Sequence, residues 1–282
     1  MMEIFGKIFS ASRTGEFDEG SIKATGEKKF QELLSESIKM AKSGVEIVAW
    51  SEGATFIFKN NEEMYIEQAI QSDMEHEFYF VIGLMVLHDN CQELLINKQP
   101  FLENKLLFIS PTGNFDWEYS KLNLAPGYEK IMTIPGDGIL KSSNTARGTV
   151  TGAICYDMDF SQYIRQTGLM KSDLLISSSS DWLEIKNTHT KMARLRAIEN
   201  GISLLRPANS GISIAVDPYG NILSSIDDFT SNGAPLISSL PMGSVQTLYT
   251  TLGDFWTWIC AFGGIILIII GIVRTAKHKS WQ

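Results

Sequence analysis

The chain has 282 residues, 44% of them apolar and 20% charged, enough to bury the core of one large domain. Its formal net charge of -8 excludes a surface of clustered lysine and arginine, and with it a nucleic-acid partner. Three scattered cysteines (Cys91, Cys155, Cys260) and four histidines (His76, His88, His189, His278) show neither a disulfide framework nor metal-ligand spacing, so no metal and no other cofactor is expected.

In chain order, Met2–Ser10 is the only candidate for an amino-terminal strand, and a poor one. Apolar residues at Phe30, Leu33, Leu34, Ile38 and Met40 predict an amphipathic helix over 24–43, stopped by Gly44. Val45–Trp50 reads as a strand that delivers Glu52 to a Gly-containing loop. A helix over 61–74 and a strand Phe78–Leu87 follow. Leu94–Ile96 and Lys105–Ser110 read as hairpin strands joined to the turn Pro111-Thr-Gly-Asn114. Tyr119-Ser-Lys121 then leads into the Pro126-Gly127 turn, with Glu129 eight residues beyond the lysine. Thr149–Ile154 is an apolar strand that ends on Cys155 and passes into a helix near 160–168. The remainder predicts a strand 173–177, a helix 187–200 ended by Gly201, paired strands 202–206 and 211–216, and a turn Asp217–Asn221 into strand 222–226. This alternation fits layered α/β packing.

Cys155 carries the first functional signal, because a cysteine at the exit of a buried strand presents its sulfur to a cleft from a rigid element. The competing reading is a small buried hydrophobe. Asp157 and Asp159 flank the sulfur, and their charge raises a thiol pKa, so a reactive Cys155 requires a cation and a base from distant segments. Lys121 and Glu52, each at the end of an apolar run, supply that pair, although either alone reads as a surface charge. The serines at 177–180 invite a serine-nucleophile reading, but no Gly-x-Ser-x-Gly elbow is present and no histidine stands in a recognisable partner position.

Glu52, Lys121 and Cys155, in that order, resemble the Glu-Lys-Cys triad of the nitrilase, or carbon-nitrogen hydrolase, superfamily. Within it the chain is most similar to the nitrilase-like domain and last membrane helix of the apolipoprotein N-acyltransferases. The resemblance rests on Trp50-Ser-Glu52, Lys121-Leu-Asn-Leu-Ala-Pro-Gly-Tyr-Glu129, Ala153-Ile-Cys155-Tyr-Asp157, Ser179-Ser-Asp181-Trp182, Met192–Glu199, Leu205–Asn221 and Thr251–Trp258, and covers roughly residues 30 to 275. Three positions depart from the pattern: Ser51 stands where proline is usual, Asn123 where histidine is common and Asp157 where glutamate is common.

The resemblance implies an α/β fold, a nitrilase-like α-β-β-α sandwich with one C-terminal transmembrane helix. It implies an acyltransferase that moves a fatty acyl chain from phospholipid, through a Cys155 thioester, to the amino terminus of a lipoprotein. Glu52 would act as general base and Lys121 as oxyanion stabiliser, with Glu129 orienting the lysine or relaying protons. Trp182, Tyr156 and Asp157 would contact substrate, and Ser177–Ser180 would form a loop lining the site. Two other readings stand beside it: a membrane-tethered amidase using the same triad, and a non-catalytic membrane-anchored binding module.

Phe255 through Val273 run 19 residues without a charge and open with Trp256 and Trp258, which predicts a transmembrane helix. The expected organisation is therefore a carbon-nitrogen hydrolase domain over 1–250, a transmembrane helix over 255–273 and a basic tail over 274–282. Arg274, Lys277 and Lys279, set against Asp254, place the tail in the cytoplasm and the main domain outside it. Residues 1–30 hold no apolar stretch of the kind a signal peptide or first span needs, which conflicts with that topology. Two resolutions are open: the chain is a piece of, or a partner to, a larger membrane protein contributing further membrane helices, or the domain is cytosolic and the charge rule is overridden.

Overall fold

Strand runs with no polar face must be covered on both sides, and β3 (Tyr79–Leu87) is buried along all but its first residue. In the computed structural model, which describes residues 18–231 and 233–279, β3 is the centre of the first sheet. It pairs in parallel with β1 (Ile47–Ala49) and β2 (Thr55–Phe58), and antiparallel with β4 (Leu102–Ile109), which pairs in turn with β5 (Phe115–Ser120). The second sheet runs β12 (Ile222–Asp227), β11 (Ile212–Val216), β9 (Ser203–Arg206), β8 (Leu174–Ser180), β7 (Gly148–Ile154), β6 (Ser142–Thr145), with β10 (Ala208–Asn209) on the end of β8. Strands β7, β8 and β9 are parallel, so their carboxyl ends emerge together.

Helices cover the outer faces. Phe30 and Leu34 of α1 (Glu19–Lys42), with Tyr65 and Ala69 of α2 (Glu62–His76), pack on Phe80, Ile82 and Leu84 of the first sheet. Ile164 of α5 (Ser161–Leu169), with Ala193 and Ala197 of α6 (Lys186–Asn200), belongs to the core of the second. Between the sheets, Gly152 of β7 admits the Trp117 ring of β5, whose nearest carbon would lie 2.5 Å from an added Cβ. The expected α-β-β-α layering is thus present.

Several local expectations change. Leu94–Ile96 belongs to a helix, α3 (Cys91–Ile96), because its flanks Gln92 and Glu93 favour helix and Leu94 and Leu95 reach the cluster around Phe101 and Leu102. The serine run is the end of a buried strand rather than a loop. Two of its hydroxyls bond backbone carbonyls, Ser178 Oγ to Trp50 O at 2.7 Å and Ser179 Oγ to Ser177 O at 3.2 Å, which offsets the cost of placing polar residues in a core. Strand β5 escapes a search for apolar runs because Asp116 and Glu118 alternate with inward Trp117 and Tyr119. A short helix, α4 (Tyr128–Met132), follows the Pro126-Gly127 turn. The candidate strand Met2–Ser10 lies outside the described residues.

Asp73 on α2 is wholly buried, and neither carboxylate oxygen has a hydrogen-bond partner. Burial, helped by the charge of Asp116, pushes its carboxyl up to about 7. In the unfolded chain it ionises near the ordinary aspartate value, so the fold loses stability as pH rises between the two values. Asp73→Asn is expected to raise the melting temperature by a few degrees at pH 8 and to leave it nearly unchanged at pH 4. An equal shift at both pH values would mean that Asp73 does not carry this penalty.

The chain closes with the short helices α7 (Asp228–Ser231) and α8 (Leu248–Leu252), then α9 (Phe255–Lys279). Within α9, Phe255–Arg274 is a 20-residue stretch, apolar up to its final arginine and with no buried residue, long enough at 1.5 Å per residue to cross a hydrocarbon core of about 30 Å. The junction is tightly held. Arg165 of α5 donates to Thr250 O and Thr251 O, each at 3.0 Å, and Gln162 of α5 bonds Asp254 just before α9.

Candidate active site

Strands β1 and β2 occupy one edge of β3 with a break between them, at residues 50–54. Opposite the break is Gly83, where a Cβ would lie 2.1 Å from Ser51 O. That close approach turns the broken segment toward the second sheet. Glu52 N–H donates to Ser179 O at 3.4 Å, and the Ser178 bond to Trp50 O fixes the same segment. Glu52 is consequently a carboxylate in the interior, 4% exposed.

Lys121 leaves the end of β5, 2% exposed, with Nζ 2.8 Å from Glu52 Oε1 and 2.6 Å from Glu129 Oε1. Asn104 of β4 donates to the same two oxygens, at 2.7 and 3.2 Å. The other Glu129 oxygen accepts from Ala125 N–H at 2.7 Å. Burial disfavours the Lys121 charge, but Glu52 and the neighbouring anionic groups outweigh it and raise its pKa. Glu129 is shifted upward, burial exceeding the pull of Lys121.

Cys155 begins a 3-10 turn, Cys155–Asp159, directly at the end of β7, with φ 46°, a left-handed conformation unusual for a residue with a side chain. Such strain costs on the order of 1–3 kcal/mol and persists where the surroundings over-determine it. Asp157 does so here. Its carboxylate accepts from Ile154 N–H (3.1 Å), Tyr119 OH (2.6 Å), Asn123 N–H (2.9 Å) and Asn123 Nδ2 (3.0 Å). The expectation that Asp157 contacts substrate is therefore corrected: it is fully buried, does not line the cavity and braces the turn that carries Cys155. Asn123 stands as its donor.

The Cys155 sulfur lies 3.6 Å from Ser180 O and 4.0 Å from His189 Nδ1. Burial pushes the thiol up and Glu52 adds to this, while Lys121 and His189 pull it down. His189 is the residue that sequence reasoning missed. Its Nδ1 lies 2.8 Å from Asp181 Oδ1 and its Nε2 3.3 Å from Asp159 Oδ1. Burial opposes its charge, but the bonds to Asp159 and Asp181 prevail and raise its pKa to about 11. Asp181 is held in turn by Arg206 Nη2, 2.9 and 2.8 Å from its two oxygens. The available signal was the predicted helix over 187–200, which puts His189 in its first turn, eight residues past Asp181. Cys155, Asp181 and His189 offer ligand atoms within 4.8 Å of one another. A cation there would compete with Arg206 for both Asp181 oxygens, and both His189 nitrogens already face carboxylates, so the donor set suits an ion-pair network better than a metal.

These groups open onto a cavity of about 520 Å³ lined by Glu52, Lys121, Glu129, Cys155 and His189. Met85, Leu102, Ala125, Pro126 and Met132 form an apolar wall, and Tyr156, Trp182 and Ile185 also line it. Of the expected substrate contacts, Tyr156 and Trp182 are thus on the cavity, Trp182 being 52% exposed. Tyr156 packs edge-on against Phe160, 5.3 Å between centroids.

The amidase of Nesterenkonia AN1 from the nitrilase superfamily superposes with a TM-score of 0.62 at 14% identity, over 72% of this chain and 81% of that one. A second structure of that amidase, in which acrylamide is added at the active-site cysteine, gives the same TM-score over 72% and 84%. The fold is accordingly that of the nitrilase-type sandwich proteins. The family model for carbon-nitrogen hydrolases matches residues 19–249, and the chain belongs to that family. Among its relatives, the apolipoprotein N-acyltransferase of Haemophilus ducreyi is 28% identical over 275 residues, 90% of this chain and 52% of that protein. That of Borreliella burgdorferi is 26% identical over 268 residues, 84% and 48%, and apolipoprotein N-acyltransferase 2 of Treponema denticola is 26% identical over 285 residues, 89% and 52%. The chain spans about half the length of these relatives.

Proposed function

We propose that the chain is the catalytic portion of a membrane-bound N-acyltransferase, taking an acyl chain from a phospholipid and delivering it to the amino terminus of a lipoprotein. The observation that carries this reading is the position of the cavity beside the membrane helix. Tyr156 on the cavity wall packs on Phe160, 41% exposed, and two residues later Gln162 bonds Asp254 at the start of α9. An apolar wall beside the nucleophile suits an acyl chain, and the relatives named as N-acyltransferases support the acceptor class. Arg274, Lys277 and Lys279 favour the domain lying outside the cytoplasm.

In the first half-reaction Glu52 removes the Cys155 proton and the sulfur attacks the ester carbonyl carbon. The resulting oxyanion faces Lys121. Its collapse breaks the ester C–O bond, the departing lysophospholipid oxygen takes the proton from Glu52, and a thioester remains on Cys155. In the second, the acceptor amine attacks the thioester, gives a proton to Glu52 and leaves as an amide, and Cys155 recovers its proton. Glu129 stabilises Lys121 throughout. A second reading, a membrane-tethered amidase, shares the first steps with an amide carbonyl and hands the thioester to water; likeness of fold to the Nesterenkonia amidase favours it.

Intact mass of the detergent-purified protein after incubation with phosphatidylethanolamine tests the proposal. The expected result is a hydroxylamine-labile acyl adduct that is absent from Cys155→Ala. No adduct from phospholipid, with a small amide hydrolysed instead, would leave the amidase. Neither reaction, with Cys155 inert to iodoacetamide, would leave a binding module.

A further inference from the structure

We propose that His189 is a permanently charged imidazolium that positions Cys155 and compensates the charge of its thiolate, a role separate from those of Glu52 and Lys121. An ionised carboxylate only accepts, so a ring nitrogen hydrogen-bonded to one must carry a proton. Nδ1 of His189 makes such a bond to Asp181 at 2.8 Å, and Nε2 lies 3.3 Å from Asp159 Oδ1, an ion-pair contact rather than a hydrogen bond. Two carboxylates flanking one ring, one of them hydrogen-bonded to it, favour the doubly protonated form.

The ring is also fixed in place. Asp181 accepts from Arg206 through both oxygens, and Arg206 is 1% exposed, with Nη1 donating to Ile212 O at 2.9 Å. The chain Arg206–Asp181–His189 thus runs from the second sheet to the sulfur, reaching it at 4.0 Å. Lys121, the other cation near Cys155, is already engaged by Glu52 and Glu129 at 2.8 and 2.6 Å. When the thiol ionises, His189 adds a second positive charge beside it, the charge of its partner Asp181 being offset by Arg206.

The charged and titratable groups around this pair come from five segments: Cys155 and Asp159 from the 3-10 turn, Asp181 from the end of β8, Arg206 from β9, Glu52 from the break between β1 and β2, and Lys121 from the end of β5. Asp159 and Asp181 oppose the thiolate, and Arg206 offsets Asp181. Without the imidazolium the sulfur would face an acidic wall.

The inference rests on Cys155 being the nucleophile, but its test does not require turnover. Iodoacetamide, a neutral probe, is used to record the alkylation rate of Cys155 against pH in the full chain, in wild type and in His189→Asn and His189→Gln, each of which retains an N–H for one carboxylate. Both variants are expected to shift the profile to higher pH by about one unit and to slow alkylation at pH 7 by about tenfold, and His189→Lys is expected to recover most of the rate. Profiles of the Asn and Gln variants that superimpose on wild type would overturn the proposal. A second measurement needs no change at His189. In ¹³C-histidine-labelled Cys155→Ala, one of the four histidine rings is expected to remain protonated through pH 9, and four rings all titrating near pH 6.5 would overturn it as well. Failure of phospholipid to load Cys155, with the alkylation shift intact, would sink the acyltransferase reading alone.

Discussion

Lys121→Met is expected to reduce acyl loading of Cys155 by about 100- to 1,000-fold, because on the proposed mechanism it removes the group that meets the oxyanion. The substitution also strands Glu52 and Glu129, whose oxygens share the Lys121 ammonium and the Asn104 amide. Breaking one side of a buried ion cluster costs about 3–5 kcal/mol. The sign with pH follows from Glu129, whose pKa burial already raises in the intact protein and which lacks its neutralising cation in the variant. Its folded-state pKa then lies above the unfolded value, so the variant loses stability as pH rises past the ordinary glutamate range and melts at a higher temperature in acid. Adding Glu129→Gln should restore the melting temperature and leave acyl loading where Lys121→Met put it. Recovery of loading together with stability would assign Lys121 a purely structural role.

Glu52→Gln separates the two consequences of one carboxylate. Glutamine keeps an oxygen for Lys121 and Asn104, so the fold should survive with little change in melting temperature. Loss of the base is expected to slow acyl loading by about 100- to 10,000-fold, since the proton must both leave the thiol and reach the departing oxygen. The anionic charge of Glu52 holds the Cys155 thiol up, however, and its removal makes the thiolate easier to form. Alkylation by iodoacetamide at pH 7 should therefore quicken while acyl loading from phosphatidylethanolamine collapses. A fall in both would show that Glu52 merely shapes the cavity.

The legibility of this molecule in its sequence varied with the kind of force at work. Glu52, Lys121 and Cys155 could be found because each ends an apolar run, and a strand's exit is visible as a change from apolar to polar residues. Their convergence could not, since it depends on the break between β1 and β2, which is set by Gly83 on a neighbouring strand. His189 was invisible for a similar reason. Its significance comes from Arg206 and Asp181, 25 residues apart in the chain and joined only by the fold. Asp157 was misread because proximity to a nucleophile in sequence says nothing about direction, and a tight turn sent its carboxylate inward to Tyr119 and Asn123. The apolar stretch that became α9 was readable from composition alone, because every residue in a span must satisfy the same solvent.

Arg165 clasps the carbonyls of Thr250 and Thr251 from α5, the helix that begins directly after the nucleophile turn. Five residues lie between Cys155 and the first residue of α5, and three between Thr251 and the first residue of α9. The enzyme is thereby mounted on its anchor like a head on a short, stiff neck. On the proposed reading the cleft is held at one height above the lipid surface, so a substrate would be selected partly by how far its reactive bond can rise from, or hang toward, the bilayer.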